Sequence, residues 1–267
     1  MAQGWRSYDS VAASHDRLAV PGMFAPPARD LLARMELRTA QRVLDVGTGS
    51  GVAALLAAES ANPKAVVAAL DPSVEMLRTA RSHGLLCVVA GVVSGLPFLA
   101  EKFDRVLANF VLSHVTSYQA ALFDMVRVLK PGGRLGVTTW GALENEFRKL
   151  WQTFAESFAG SEALRAATQE ALPWEDWFTD AAHLHQAFRE AGLINVEVDH
   201  VNYNIHMTIA DFLAIRENST QARCMRLTMD AGRREQFKQT VSAEFCARFK
   251  DPIDHTRDVH IAIGTRA

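Results

Sequence analysis

Cysteine is scarce in this 267-residue chain. Cys87, Cys224 and Cys246 are odd in number and far apart, which argues against a disulfide frame or a zinc knuckle and predicts free, buried thiols in a reducing cytoplasm. A charge surplus is missing too: 28 Lys and Arg face 30 Asp and Glu, a formal net charge of −2. No basic excess favours nucleic acid, and no polybasic run favours anionic lipid. Long apolar runs are lacking, so no segment reaches the length of a bilayer span. Met1-Ala2-Gln3-Gly4-Trp5-Arg6 carries no apolar signal core. These absences predict a cytoplasmic protein without a nucleic-acid or membrane partner. Internal repeats and low-complexity segments are absent as well. What remains is 49% hydrophobic and 22% charged, an ordinary globular composition, with length for one large domain or a domain plus a lid.

The chain is organised around Arg42-Val43-Leu44-Asp45-Val46-Gly47-Thr48-Gly49-Ser50-Gly51. Val43 to Val46 reads as a short strand, glycine follows at every second position, and Val52 to Glu59 reads as a helix. A strand, a glycine turn and a helix start make a nucleotide-binding corner. Glycine lets the backbone take positive φ and lets a ligand lie against bare peptide, while the helix start offers unpaired N–H groups and a positive dipole end. Gly49-x-Gly51-x-x-Ala54 also fits a dinucleotide fingerprint, which makes NAD a competitor. Asp45 weighs against it. An acid two residues before the first glycine is poorly placed for a pyrophosphate and well placed for a cationic or amino-bearing ligand.

Asp45 followed by Gly47, Gly49 and Gly51 resembles the first motif of the class I S-adenosylmethionine (SAM) methyltransferases, and later segments follow the same order. The strand Ala65 to Leu70, apolar throughout and therefore expected to be buried on both faces, ends in Asp71-Pro72-Ser73. An acid there, about twenty residues past the glycines, is where an adenosine ribose is gripped through paired hydroxyls. The alternative is that Asp71 or Ser73 caps the helix Val74 to Ser82. Met76 resembles the family's Met near the adenine, although core packing accounts for it equally well. After the third strand, Leu85 to Val89, the family carries an acid for the adenine amino group. Here Val92 stands in its place, so the backbone N–H groups of the Gly91–Val93 turn, including Val93, and the hydroxyl of Ser94 are left to serve. Leu96-Pro97-Phe98 keeps the family's anchor. Phe103-Asp104-Arg105-Val106, then Asn109 and Leu112-Ser113-His114-Val115, is a specific match; Asn109 sits at a strand end, where ligands bind in open α/β sheets. Upstream, Tyr8-Asp9 resembles a family segment that folds over the cofactor, with His15 where a second Tyr is usual.

The resemblance implies a Rossmann-like α/β fold: a seven-stranded, mostly parallel sheet with an antiparallel last strand, helices on both faces and helical cap insertions. A single domain over 1–267 is expected, with an N-terminal helical segment (1–40), a SAM-binding core (41–140) and cap insertions (141–180 and 208–250). Val20 to Pro27 is expected to break any helix, Ala28 to Leu37 to form one, and Ser117 to Lys130 another that stops at Pro131-Gly132-Gly133. The implied function is methyl transfer from SAM, leaving S-adenosylhomocysteine, to a small apolar or aromatic acceptor, with O-methylation favoured over N or C. The candidate base is His114, competent at neutral pH by its ordinary pKa near 6.5. Trp140, Trp151, Trp174, Trp177 and Phe178 are candidates to line the acceptor pocket. His183 and His185, two apart on a helix, share no face, so no metal is expected. A monomer or homodimer is expected. The alternatives are a repurposed or non-catalytic member of the same fold and an NAD-dependent oxidoreductase, for which no Tyr-x-x-x-Lys relay is found.

Overall fold

The computed structural model describes residues 8–267. A helical stretch opens the chain: Asp9–Val11, α1 (Ala12–Ser14), a π-helical segment His15–Phe24 and α2 (Ala25–Ala33) run on without a break. This corrects the expected interruption at Val20 to Pro27. The wide π turn accommodates Pro21, and Pro26 and Pro27 fall in the first turn of α2, at its junction with the π segment, where the change of helical register tolerates proline.

Five parallel strands follow: β1 (Arg42–Val46), β2 (Val66–Asp71), β3 (Cys87–Ala90), β4 (Phe103–Asn109) and β5 (Leu129–Trp140). Helices α3 (Val52–Ser60), α4 (Val74–Ser82) and α5 (Tyr118–Val128) make the crossovers. Helices α6 (Glu146–Ala159), α7 (Ser161–Ala171) and α8 (Ala181–Glu190) lead to β6 (Leu193–Met207), and α9 (Ile209–Arg216), α10 (Thr220–Thr228) and α11 (Ala231–Arg248) lead to β7 (Ile253–Arg266). The sheet has seven strands in the order β3-β2-β1-β4-β5-β7-β6, and β7 is antiparallel to both neighbours, as the sequence predicts.

Several boundaries moved for local reasons. Ser117 caps α5 by accepting the Ala120 N–H, and the helix stops at Val128 because β5 already begins at Leu129. The Pro-Gly-Gly turn is therefore absorbed into an irregular strand start, with Gly132 at φ +74° and a register shift opposite Phe103 and Arg105. β2 is buried only from Ala68 onward; Val66 is 53% exposed. Cys87 and Cys246 are exposed and Cys224 half-buried, so the thiols are not in the core. Cys87 opens the edge strand β3 and Cys246 sits on an outer turn of α11.

The apolar residues sort into layers. One face of the sheet packs α5 and α8 through Leu122, Met125, Leu184 and Phe188; the other packs α2 through Leu31 and Met35 against Val43, Val259 and Ile261. Helices α6, α7 and α9–α11 enclose a separate cluster around Trp151, Phe212, Phe237 and Phe245. No helix among the described residues is long and apolar enough to cross a membrane.

Candidate active site

The glycine turn after β1 is open on one side only. Gly47 sits at φ +66°, and a Cβ there would lie 2.5 Å from Val111. Gly49 sits at φ +56° with nothing within 4 Å of the same position, so its bare peptide faces free space. Two carboxylates frame that space. Asp71, at the end of β2, accepts the Gly49 N–H through Oδ2 and the Ser73 N–H through Oδ1, both at 2.8 Å. Burial raises its pKa, against the lowering effect of those two bonds. The helix-capping role falls to Ser73 instead, whose Oγ accepts the Met76 N–H. Asp45 is 1% exposed; Oδ2 accepts the Thr48 hydroxyl at 2.6 Å, while Oδ1 is buried without a partner. Desolvation pushes its pKa up to about 7. A buried, half-satisfied carboxylate is costly unless a donor or cation completes it.

The first described turn closes over this corner. Asp9 accepts the Ser73 hydroxyl at 2.5 Å and the Glu75 N–H at 3.2 Å, tying the N-terminal helix to the start of α4. Tyr8 meets His114 edge-on at 5.7 Å and His15 at 5.9 Å between ring centres. His114, in a short 3-10 turn after β4, keeps an exposed surface beside the Tyr8 ring. Desolvation, reinforced by the charge of Arg223 and by His15, lowers its pKa to about 4. It is thus a neutral imidazole at physiological pH, and a weaker base than its ordinary pKa suggests.

Asn109 is a fastener at the end of β4. Its Oδ1 accepts the Thr138 hydroxyl at 2.7 Å and its Nδ2 donates to the Phe24 carbonyl at 3.4 Å. Beside it, Phe110 is held at φ +60°, unusual for a bulky residue, and stacks on Trp140 at 4.0 Å. Of the other expected positions, Pro72 is exposed, Met76 is 2% exposed and packed inward, Val92 is 58% exposed and Val93 half-buried. The Gly91 N–H is already given to the Asp71 carbonyl at 3.1 Å, which leaves the N–H groups of Val92 and Val93 for a ligand.

The aromatic candidates divide. Trp140 joins Phe24 and the N-terminal helix at 5.8 Å. Trp151 is buried in the cap cluster with Arg216 stacked on it at 4.3 Å. Phe178 and Trp174 pack with Tyr118 in the cluster of the α5–α8 face of the sheet, and Trp177 stacks on His183 at 3.5 Å, so these three rings are engaged away from Tyr8 and Trp140. On that face His200, Asp258 and His260 bring ligand-type atoms within 4.8 Å of one another, but both Asp258 oxygens are already engaged, by the Leu143 N–H and by His200. Sequence reasoning named Asp9 beside Tyr8 without giving it a role of its own, and passed over the arginines of the cap, which belong to no motif.

A family model described as a methyltransferase domain matches residues 44–137. The chain is 30% identical over 217 residues to a demethylmenaquinone methyltransferase of Geobacillus kaustophilus, an alignment covering 75% of this chain and 92% of that one. A phosphoethanolamine N-methyltransferase 2 of Haemonchus contortus, crystallised with SAM, has a similar fold (TM-score 0.57, 16% identity, 97% of this chain and 57% of that chain). So has the (4+2)-cyclase SpnF (TM-score 0.58, 18% identity, 97% and 94%).

Proposed function

The chain belongs to the class I SAM-dependent methyltransferases of the quinone-biosynthesis type, and from that premise we propose that it methylates a small aromatic acceptor held between the sheet and the helical cap. SAM is the cofactor, and it supplies an electrophilic methyl on a sulfonium. The observation that carries the site assignment is the unpaired Asp45 Oδ1 beside the bare Gly49 peptide. In this reading Asp45 completes its bonding with the amino-bearing end of the cofactor, and Asp71 offers its remaining lone pairs to the ribose hydroxyls. Gly47 and Gly49 give the backbone room. The exposed Val92 and half-buried Val93 border the adenine with their N–H groups, beside Pro72. Met76 acts from below as packing, and Asn109 through the helix it holds.

The acceptor lies on the side of Tyr8, Phe24, Trp140 and His114. Methyl transfer asks for an in-line nucleophile and exclusion of water more than for covalent help. His114, neutral under the cap, is placed to take a proton from an acceptor hydroxyl. The relative's name specifies a demethylmenaquinone, which favours an aromatic ring carbon as the methylated atom; the hydroxyl oxygen favoured by the motif reading is the second choice. Titration calorimetry with SAM, S-adenosylhomocysteine and NAD tests the cradle, and mass spectrometry with NMR of products from naphthol and hydroquinone acceptors tests the transfer. Micromolar SAM binding is expected. Binding of NAD alone overturns the reading.

A further inference from the structure

Three arginines that no motif marks are stacked on aromatic rings, and none of them forms an ion pair among the described residues. Arg223, from α10, is 3% exposed. Its guanidinium lies 4.2 Å over the Tyr8 ring; Nη2 reaches Thr220 Oγ1 only at 3.5 Å, and Nε and Nη1 have no partner. Arg257, from β7, is 5% exposed and lies 4.0 Å over Trp140. Arg216, from α9, stacks on Trp151; its Nη2 donates to Gln221 at 3.0 Å while Nε is buried without a partner.

Tyr8 and Trp140 belong to one run of touching rings. Tyr8 meets His15, His15 meets Phe24 at 4.9 Å, and Phe24 meets Trp140 at 5.8 Å. Arg223 and Arg257 therefore stand at the two ends of a single aromatic wall. The charges of Arg148 and Arg216 both bear on Arg257, and Glu175 is the carboxylate that bears on Tyr8, Arg216 and Arg257 together. Among the described residues, none of these four arginines forms an ion pair.

A buried guanidinium without a counter-ion is costly. Stacking on an aromatic face repays part of that cost. The planar fork that is left fits carboxylate or phosphate oxygens two at a time.

We propose that the acceptor carries an oxyanion, a carboxylate or a phosphate, paired with one of these two end arginines, Arg223 or Arg257, while its ring lies along Tyr8, Phe24 and Trp140. This deepens the methyltransferase reading of the same site and rests on it. A neutral ring leaves the guanidinium group unpaired and binds more weakly for that reason. Arg216 and Arg148 add positive potential behind the grip.

The test uses the full chain. S-adenosylhomocysteine binding is measured first by calorimetry; its absence fails the methyltransferase reading, whatever the acceptor. The loaded protein is then titrated with three matched probes: 1-naphthol, 1-hydroxy-2-naphthoate and 1-naphthyl phosphate. At least one anionic probe is expected to bind tenfold or more tightly than 1-naphthol, and which one does so separates carboxylate from phosphate. One of Arg223→Gln and Arg257→Gln is expected to lower that affinity at least tenfold while S-adenosylhomocysteine affinity stays within threefold, and which one does so fixes the end of the wall that takes the oxyanion. The wild-type ranking stands without either variant, should one fail to fold. With S-adenosylhomocysteine bound, equal or tighter binding of 1-naphthol, or binding of none of the probes, overturns the oxyanion grip alone. So does an anion affinity unchanged in both folded variants.

Discussion

The Gly49 N–H donates to Asp71 Oδ2 at 2.8 Å, so the acid at the end of β2 sets the shape of the turn at the end of β1. The same carboxylate holds the Ser73 N–H through its other oxygen. Asp71→Ala is expected to weaken SAM binding by about 3 kcal/mol, on the order of a hundredfold, through lost charge-assisted bonds to the ribose and a loosened turn. Far-UV circular dichroism should stay unchanged. Calorimetry reads the affinity, and an unaltered value removes the ribose assignment.

Glycine is required at Gly47 and Gly49 for different reasons, and alanine separates them. At Gly47 a methyl would meet Val111 at 2.5 Å; at Gly49 it would meet nothing. Gly47→Ala should cost stability by roughly 2 kcal/mol or more, from overpacking and left-handed strain together. Gly49→Ala should cost only about 1 kcal/mol in stability, yet lose SAM affinity because its methyl stands in the cradle. Denaturant melts and calorimetry on the pair check both halves.

Asp45 makes cofactor binding pH-dependent. With its pKa raised to about 7 by burial, the carboxylate is protonated in the free protein below that pH, and a cationic ligand must release that proton to pair with it. SAM affinity should therefore fall as pH drops below 7, approaching tenfold per unit, and level off above it. Calorimetry in buffers of different ionisation enthalpy counts the proton. Asp45→Asn should abolish the dependence.

Burial holds His15, His114 and His255 at about 4, below the ordinary 6.5. Between those values the unfolded chain takes protons that the native imidazoles refuse, so stability is lost as pH falls from 6.5 toward 4. Asp45 acts in the opposite sense over pH 7 to 3.8, because its native form keeps a proton that the unfolded form gives up. His255→Phe should flatten the acid slope by about one proton, read from denaturant melts at three pH values; an unchanged slope would contradict the burial of that imidazole.

His114→Ala should lower kcat by on the order of a hundredfold, the lower end for a general base, with SAM affinity within threefold. Equal loss of turnover and folding stability would mark it as structural instead.

The succession of strands and the glycine corner were legible because they rest on local pattern: apolar runs, alternating glycines and an acid at the ends of β1 and β2; the mostly parallel sheet with its antiparallel last strand came from the family resemblance. The positions of Asp45 and Asp71 beside the glycine turn were legible for the same reason of local pattern, while His114 stood out only through the family resemblance. The helix through Pro21 was not legible, since a π turn leaves no residue signature. Nor were Arg216, Arg223 and Arg257. They come from two helices and a strand dispersed along the last quarter of the chain, and only the folded cap brings them to Tyr8, Trp151 and Trp140. Trp177 and Phe178 show the converse: aromatic composition beside a cap says nothing about which side of the sheet a ring takes.

Asp9 holds the start of α4, and Tyr8 rests beneath the Arg223 guanidinium of α10. One short strap is thus buckled to the floor and to the roof at adjacent residues. A disturbance at either residue is therefore carried to both α4 and α10, so the two elements loosen together.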